Sequence, residues 1–256
     1  MDFFDPHFHI WDLTPSSVSG HDASVVHEVP WVAGDPKLYG TAEYEADCDG
    51  HAALKHVGGV FIDAMSVCHV DKPGTWLQDK CLAEARWVAE SLATSQRLYR
   101  LAPSACLEDP DVGATLAKLA AIPGVVGIRQ ILNHEPSWPR NAVLGDLLDS
   151  AEWRAGYAKL EAVGFSFDCQ LNPPQYIKAA ALMAKHPGIP VVINHMGTPT
   201  AADLGERSAQ YWQGLEALAK LPHVAIKISM LCYTVRWQGR RRRCTTAAPP
   251  PPPPPQ

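Results

Sequence analysis

Two histidines one residue apart, in Asp5-Pro6-His7-Phe8-His9, open the chain with a pattern suited to chemistry. Side chains two apart on a strand point the same way, so Asp5, His7 and His9 are expected on one face and Pro6, Phe8 and Ile10 on the other. Two imidazoles on one face can converge on a single cation or carbonyl. In a chain with 11 histidines the spacing alone is weak, and its placement between an aromatic and an aliphatic residue on a strand adds to it. A third histidine, His195, ends Pro190-Val191-Val192-Ile193-Asn194-His195, where an apolar run breaks into Gly197-Thr198-Pro199. Taken alone it reads equally well as a loop cap; beside His7 and His9 it completes a set.

Polar residues interrupt three other apolar runs. Ser166, Asp168 and Gln170 alternate with Phe165, Phe167 and Cys169, Lys227 and Ser229 alternate with Ile226 and Ile228, and the run 127–132 holds Arg129 and Gln130. A charge inside a folded core is costly unless it is paired or used. Interior Arg129 and Lys227 therefore imply an anionic or carbonyl-bearing substrate, with Arg129, Gln130, Asp168 and Gln170 as its binding residues. An equally good structural reading bridges Arg129 to Asp168.

These residues must be positioned by a regular scaffold, and the punctuation of the chain supplies one. Short apolar runs at 3–10, 57–64, 98–107, 125–132, 165–171, 191–195 and 224–230 alternate with helical patterns, the signature of βαβ units and a parallel sheet. Leu82, Ala85, Arg86, Val88, Ala89 and Leu92 form one amphipathic stripe, and Val112, Leu116, Leu119 and Ala120 another. Pro123-Gly124, Pro187-Gly188 and Leu221-Pro222 stop helices before strands resume. The expected fold is α/β, a (β/α)8 TIM barrel with seven of its eight strands. A barrel short of one strand would expose backbone edges on its first and seventh strands. The long segment 12–40 is expected to lie over the strand C-termini, where such barrels place their chemistry.

Composition narrows the classes. At 256 residues with 46% apolar content, one sizeable core is expected. Five of the 22 basic residues, Arg236, Arg240, Arg241, Arg242 and Arg243, lie beyond Leu231 with no acidic residue among them. The body is therefore more acidic than the net charge of −5, which argues against nucleic-acid binding. Seven scattered cysteines without a Cys-x-x-Cys pair argue for reduced, mostly buried thiols. No leader-like or membrane-length apolar run is present, so a cytoplasmic protein without membrane contact is expected. The barrel is assigned to residues 1–231, and the Arg-rich, poly-Pro segment 232–256 is read as a disordered tail. Its seven consecutive prolines could dock SH3, WW or profilin-like partners, the alternative being low-complexity sequence grafted onto a truncated barrel.

The stretch from Phe3 to about Leu231 resembles the amidohydrolase superfamily, in particular its amidohydrolase-related branch of lactone hydrolases such as pyrone-dicarboxylate and sugar-acid lactonases. The resemblance is carried by Asp5-Pro6-His7-Phe8-His9-Ile10-Trp11-Asp12, Gly127-Ile128-Arg129-Gln130-Ile131-Leu132, Phe165-Ser166-Phe167-Asp168-Cys169-Gln170-Leu171 and Ile193-Asn194-His195-Met196-Gly197-Thr198-Pro199. It implies a barrel in which His7, His9 and His195 surround a reacting carbonyl. In metal-dependent relatives these positions help hold zinc or another divalent ion, while some lactonases of the branch work without metal. Arg129-Gln130 and Asp168-Cys169-Gln170 stand where two-metal members carry a bridging lysine or glutamate and a histidine, which speaks against a binuclear centre. The family's general base is an aspartate on strand eight, and nothing after Leu231 is acidic. The implied function is a hydrolase opening a lactone by water attack, slowed in this truncated chain. Decarboxylation within the same superfamily, or a non-catalytic remnant, are the alternatives.

Overall fold

The computed structural model describes residues 1–14, 18–19, 37–50, 53–63, 77–134 and 145–230. Along them run β1 (Asp2–Phe8), β2 (Trp11–Asp12), β3 (Leu38–Tyr39), α1 (Thr41–Asp49), β4 (Lys55–Ile62), α2 (Gln78–Leu92), β5 (Leu98–Ala102) and α3 (Val112–Ala120). The second half holds β6 (Gly127–Ile131), α4 (Ala151–Ala158), α5 (Leu160–Val163), β7 (Ser166–Gln170), α6 (Tyr176–Met183), β8 (Val191–Ile193), α7 (Ala201–Leu204), α8 (Ser208–Ala219) and β9 (Val224–Ile226).

Each of the seven apolar runs contains a parallel strand. They form two arcs, β1-β4-β5 and β6-β7-β8-β9, joined by the isolated bridges Leu101↔Val125 and Ser104↔Arg129. The result is an α/β barrel left open, since among the described residues β1 and β9 each have a single neighbour. Strands end sooner than the apolar runs do: β5 stops at Ala102 because Pro103 has no N–H to extend the ladder. The small antiparallel ribbon of β2 and β3 was not legible, since two-residue strands carry no periodicity. Most of the segment 12–40, Cys68 and the whole of 231–256, including the proline run, lie outside the described residues. Among those described, no helix is long and apolar enough to cross a membrane.

Burial explains the division of each strand into two faces. Ile128, Phe167, Cys169, Val191 and Ile193 are sealed beneath Trp153, Tyr157, Leu160, Tyr176 and Met183 of the covering helices. The stripe expected on α2 buries Leu82, Ala85, Val88 and Leu92, while Arg86 stays exposed and Cys81 and Glu84 join the buried face. A smaller cluster of Phe8, Tyr44, Phe61, Tyr99 and Leu101 backs the first arc. Cys48, Cys81, Cys106 and Cys169 stand outside any disulfide, the last three buried as small residues are. At the open edges Phe4, Ile226, Ile228 and Met230 remain substantially exposed.

Phe167 sits at the centre of this packing, fully buried and edge-on to both Trp153 and Tyr157 at 5.8 and 5.4 Å. Phe167→Ala is expected to cost about 3–5 kcal/mol through the cavity it leaves. A lowered urea midpoint at unchanged slope would show it; an unchanged midpoint would mean that the second arc does not pack as described.

Candidate active site

The first strand reaches the site through a bulge. Its pairing with β4 runs Asp5↔Gly59 and then Phe8↔Phe61, so β1 spends one residue more than its partner over this step. The extra residue breaks the simple alternation. Asp5 accepts the His7 backbone N–H at 2.9 Å and the Tyr44 hydroxyl at 3.0 Å, on the α1 side, while His7 and His9 face the other way. The expectation that Asp5 shares a face with the histidines is thus corrected. Its carboxylate braces the bulge that aims them. Gly59 permits the approach, since a Cβ there would lie 2.7 Å from the Asp5 carbonyl oxygen and 2.9 Å from the Phe8 ring.

His195 is placed by a strained turn after β8. His195, Met196 and Thr198 adopt positive φ of 55°, 55° and 50°, which non-glycine residues seldom do. Gly197, at φ 74°, packs against Tyr176, whose hydroxyl donates to the Gly197 carbonyl at 2.7 Å. A Cβ on Gly197 would fall 1.7 Å from that hydroxyl oxygen. The turn is also held by the Met196 N–H on the Lys227 carbonyl at 2.8 Å and by Thr198 Oγ1 donating to the Leu171 carbonyl at 2.7 Å.

The three imidazoles meet. The His7 ring lies 5.0 Å from that of His9 and 4.5 Å from that of His195, centroid to centroid. His9 donates its Nδ1–H to the Ile62 carbonyl at 2.9 Å, which leaves the Nε2 lone pair available in the neutral ring. His195 Nδ1 shares a hydrogen bond with Ser229 Oγ at 2.9 Å. Both ring nitrogens of His7 are buried without a hydrogen-bond partner.

Two ion pairs complete the interior. Arg129, 2% exposed, donates from NH1 to the Asp63 carbonyl at 3.0 Å and its carboxylate at 3.1 Å, and from NH2 to Gln170. Lys227 Nζ lies 2.6 Å from Asp168 Oδ1, which also accepts Asn194 Nδ2 at 2.8 Å. The bridge drawn from the sequence, Arg129 to Asp168, is therefore replaced by two pairs, because Asp63 at the end of β4 stands nearer the guanidinium. Of the four residues expected to bind substrate, Arg129, Asp168 and Gln170 lie on the interior. Gln130 does not: it donates to Glu108 at 2.8 Å and accepts the Trp153 indole N–H at 2.7 Å, as the residue after an interior Arg129 must face the helices. Asp63 and Asn194, the partners of Arg129 and Asp168, were missed. Asp63 directly follows a strand, as Asn194 does, and that position was the available signal.

Electrostatics follow from burial beside cations. His7 is pushed far below the ordinary imidazole range, by burial first and then by His9, Arg129, Lys227 and His195. Burial and Arg129 lower His9 to about 4 despite its bond to Ile62, and lower His195 to about 3. Burial lowers Lys227 as well, with Asp168 opposing. All three imidazoles are neutral near neutral pH. Neutral imidazoles are the right donor chemistry for one divalent ion. Yet among the described residues no group of three or more His, Cys, Asp or Glu side chains stands in an arrangement that would hold a metal ion.

A family model described as Amidohydrolase matches residues 4–253. The chain belongs to the amidohydrolase family. It is a hydrolase-type enzyme of that superfamily. Protein y4mH of Sinorhizobium fredii is 26% identical over 233 residues, which cover 89% of this chain and 72% of that protein. The L-fucono-1,5-lactonase of Burkholderia multivorans is 26% identical over 174 residues, 61% of this chain and 58% of the lactonase. An amidohydrolase from Burkholderia multivorans with bound zinc shares the fold at a TM-score of 0.65 and 20% identity, covering 90% of this chain and 70% of its own.

The lowered imidazoles make stability depend on pH in a definite direction. Unfolded histidine titrates near 6.5, above the folded values of about 4 for His9 and about 3 for His195. Below pH 6.5 the unfolded chain takes up protons that the folded site refuses. Stability is therefore full above 6.5 and falls steadily as pH drops toward 4 and then 3. Urea midpoints measured from pH 7.5 to 4 should decline less steeply in His195→Gln than in the wild type; parallel declines would contradict the assigned cause.

Proposed function

We propose that this amidohydrolase opens a lactone, the cyclic ester of an acid bearing a further carboxylate or several hydroxyls, by attack of water on the ring carbonyl. The observation that carries the reading is the contact of His7 with both His9 and His195, three neutral imidazoles set beside two paired cations. The similarity to a lactonase supports the substrate class.

In this reading the carbonyl seats against His7, His9 and His195, and the His7 ring, whose nitrogens have no protein partner, can donate an N–H to the oxygen as negative charge develops on it. Arg129 adds a fixed positive field that favours that oxyanion, and because it is already paired with Asp63 it need not reorganise during the reaction. Gln170 offers a hydrogen bond to the remainder of the substrate, and Arg129 attracts its carboxylate. Were one divalent ion such as zinc to be held, His7, His9 and His195 would hold it, and it would supply polarisation of the carbonyl.

The test is a panel of sugar-acid and pyrone lactones followed by acid release, with aromatic acids assayed in parallel for carbon dioxide. Lactone turnover by the wild type is expected, with His7→Ala and His195→Ala each lowering kcat/KM by about 10²-fold or more. Cys169→Ala, which removes a buried thiol on the helix-facing side, should stay within a few fold. Equal activity in all three variants would reject the site, carbon dioxide release alone would make the chain a decarboxylase, and no turnover by the folded wild type would make it a non-catalytic relative. Repeating the assay after EDTA treatment and with added zinc assigns or removes the ion: a gain with zinc, together with zinc binding lost in His7→Ala, places it on the imidazoles.

A further inference from the structure

Lactone opening needs a base for the attacking water and an acid for the departing ring oxygen, and the imidazoles, held neutral in an already cationic site, are poorly placed to take up a proton. Among the described residues, Asp63 and Asp168 are the carboxylates on the barrel interior. Asp63 is committed: its backbone carbonyl and its carboxylate both receive Arg129 NH1, and its side chain is 3% exposed. Asp168 is different. Lys227 Nζ at 2.6 Å and Asn194 Nδ2 at 2.8 Å both bond the same oxygen, Oδ1. No described residue donates to Oδ2, and that oxygen is not among the sealed polar atoms without a partner. An ionised carboxylate can accept at both oxygens, so Oδ2 keeps its lone pairs for a water molecule.

The neighbourhood fits. The Lys227 N–H bonds the Ile193 carbonyl at 2.8 Å, and its own carbonyl takes the Met196 N–H at 2.8 Å, so Lys227 stands beside the turn that carries His195. Two residues on, Ser229 bonds the His195 ring. An ammonium has three N–H donors, and Asp168 takes one that is seen here.

We propose that Asp168 is the general base and Lys227 the general acid of the reaction. This rests on the lactonase reading. Water adds to the carbonyl carbon as Asp168 Oδ2 takes its proton. The carbon to ring-oxygen bond then breaks while Lys227 passes a proton to the departing oxygen, giving a hydroxy acid. Transfer of the proton from the Asp168 carboxylic acid to the neutral Lys227 amine restores both groups, so no other reactant is consumed. Burial, which lowers the lysine's affinity for its proton, eases the second step. The dyad would provide, from β7 and the residue after β9, the proton handling that the family resemblance gives to a strand-eight aspartate.

The experiment uses the full chain with the best lactone from the panel and, as a second substrate, dihydrocoumarin, whose phenolate leaves without needing an acid. D168N is expected to lower kcat by about 10²-fold or more on both substrates, with D168E recovering part of the loss. K227M should lower kcat by a similar factor on an aliphatic lactone and by less than about tenfold on dihydrocoumarin. Urea unfolding checks each variant. Should a single substitution prevent folding by stranding a charge, D168N/K227M leaves none unpaired and is expected to fold and to lose turnover on both substrates. Retention of more than a tenth of wild-type kcat by folded D168N or by the double variant overturns the proposal. So does an equal loss on both substrates in K227M. If the wild type opens no lactone at all, the lactonase reading has failed and the dyad fails with it; an active wild type with indifferent variants fails the dyad alone.

Discussion

The guanidinium of Arg129 is the contact on which the rest of the interior depends. It projects from β6, in the second arc, to Asp63 at the end of β4, in the first, and to Gln170 on β7. Between the arcs the described backbone pairing amounts to two isolated bridges, one of them Ser104↔Arg129 itself. A buried guanidinium without a partner would cost several kcal/mol, roughly what breaking a buried pair costs, so the barrel is stable only when the two arcs are brought together around it. The same charge acts on the site. It is the second cause, after burial, of the low proton affinity of both His9 and His195. One residue thus joins the halves of the fold and helps to keep the imidazoles inside it neutral.

Holding the imidazoles together also requires backbone that departs from regular strand. The bulge at Pro6-His7 sits where proline, which cannot donate to a ladder, does least damage on an edge strand. The turn from His195 to Thr198 places three non-glycine residues at positive φ, each costing on the order of 1–3 kcal/mol. Such a turn persists because its groups are over-determined: Thr198 Oγ1 is bonded by Asn133 at 2.8 Å and itself bonds Leu171, and Tyr176 clamps the Gly197 carbonyl. The strain lies at the site and its compensation in the packed second arc.

What the sequence disclosed follows from this division. Apolar runs and helix stops revealed the seven parallel strands of the described residues, because burial on one face leaves a periodic record. His7, His9 and His195 were legible because a polar residue in such a run has few structural excuses. The pairing of the charges was not. Asp63 is drawn in by the register of strands separated by more than sixty positions, and no spacing rule reports a contact of that range. Asp5 was misplaced because a bulge inverts the period-two rule locally, and Gln130 because its neighbour Arg129 was assigned to the interior without assigning the next residue to the helices. Both ends of the Gln130 amide serve Glu108 and Trp153, an ordinary buried hydrogen-bond role for an amide beneath a helix.

The edge strand β9 shows why site and fold cannot be separated here. It is three residues long, and Ile226 and Ile228, on or just beyond it, are 42% and 80% exposed, so apolar burial alone holds it weakly. Its continuation is tethered by polar contacts instead: Lys227 to Asp168, Ser229 to His195, and backbone bonds between Lys227 and both Ile193 and Met196. Such contacts contribute little in water but more in a sealed interior, where an unmade hydrogen bond is costly. Each of them also fixes a group of the candidate site. The strand that would be the first to fray is therefore retained by the chemistry of the site, and the orientation of His195 is retained by the strand.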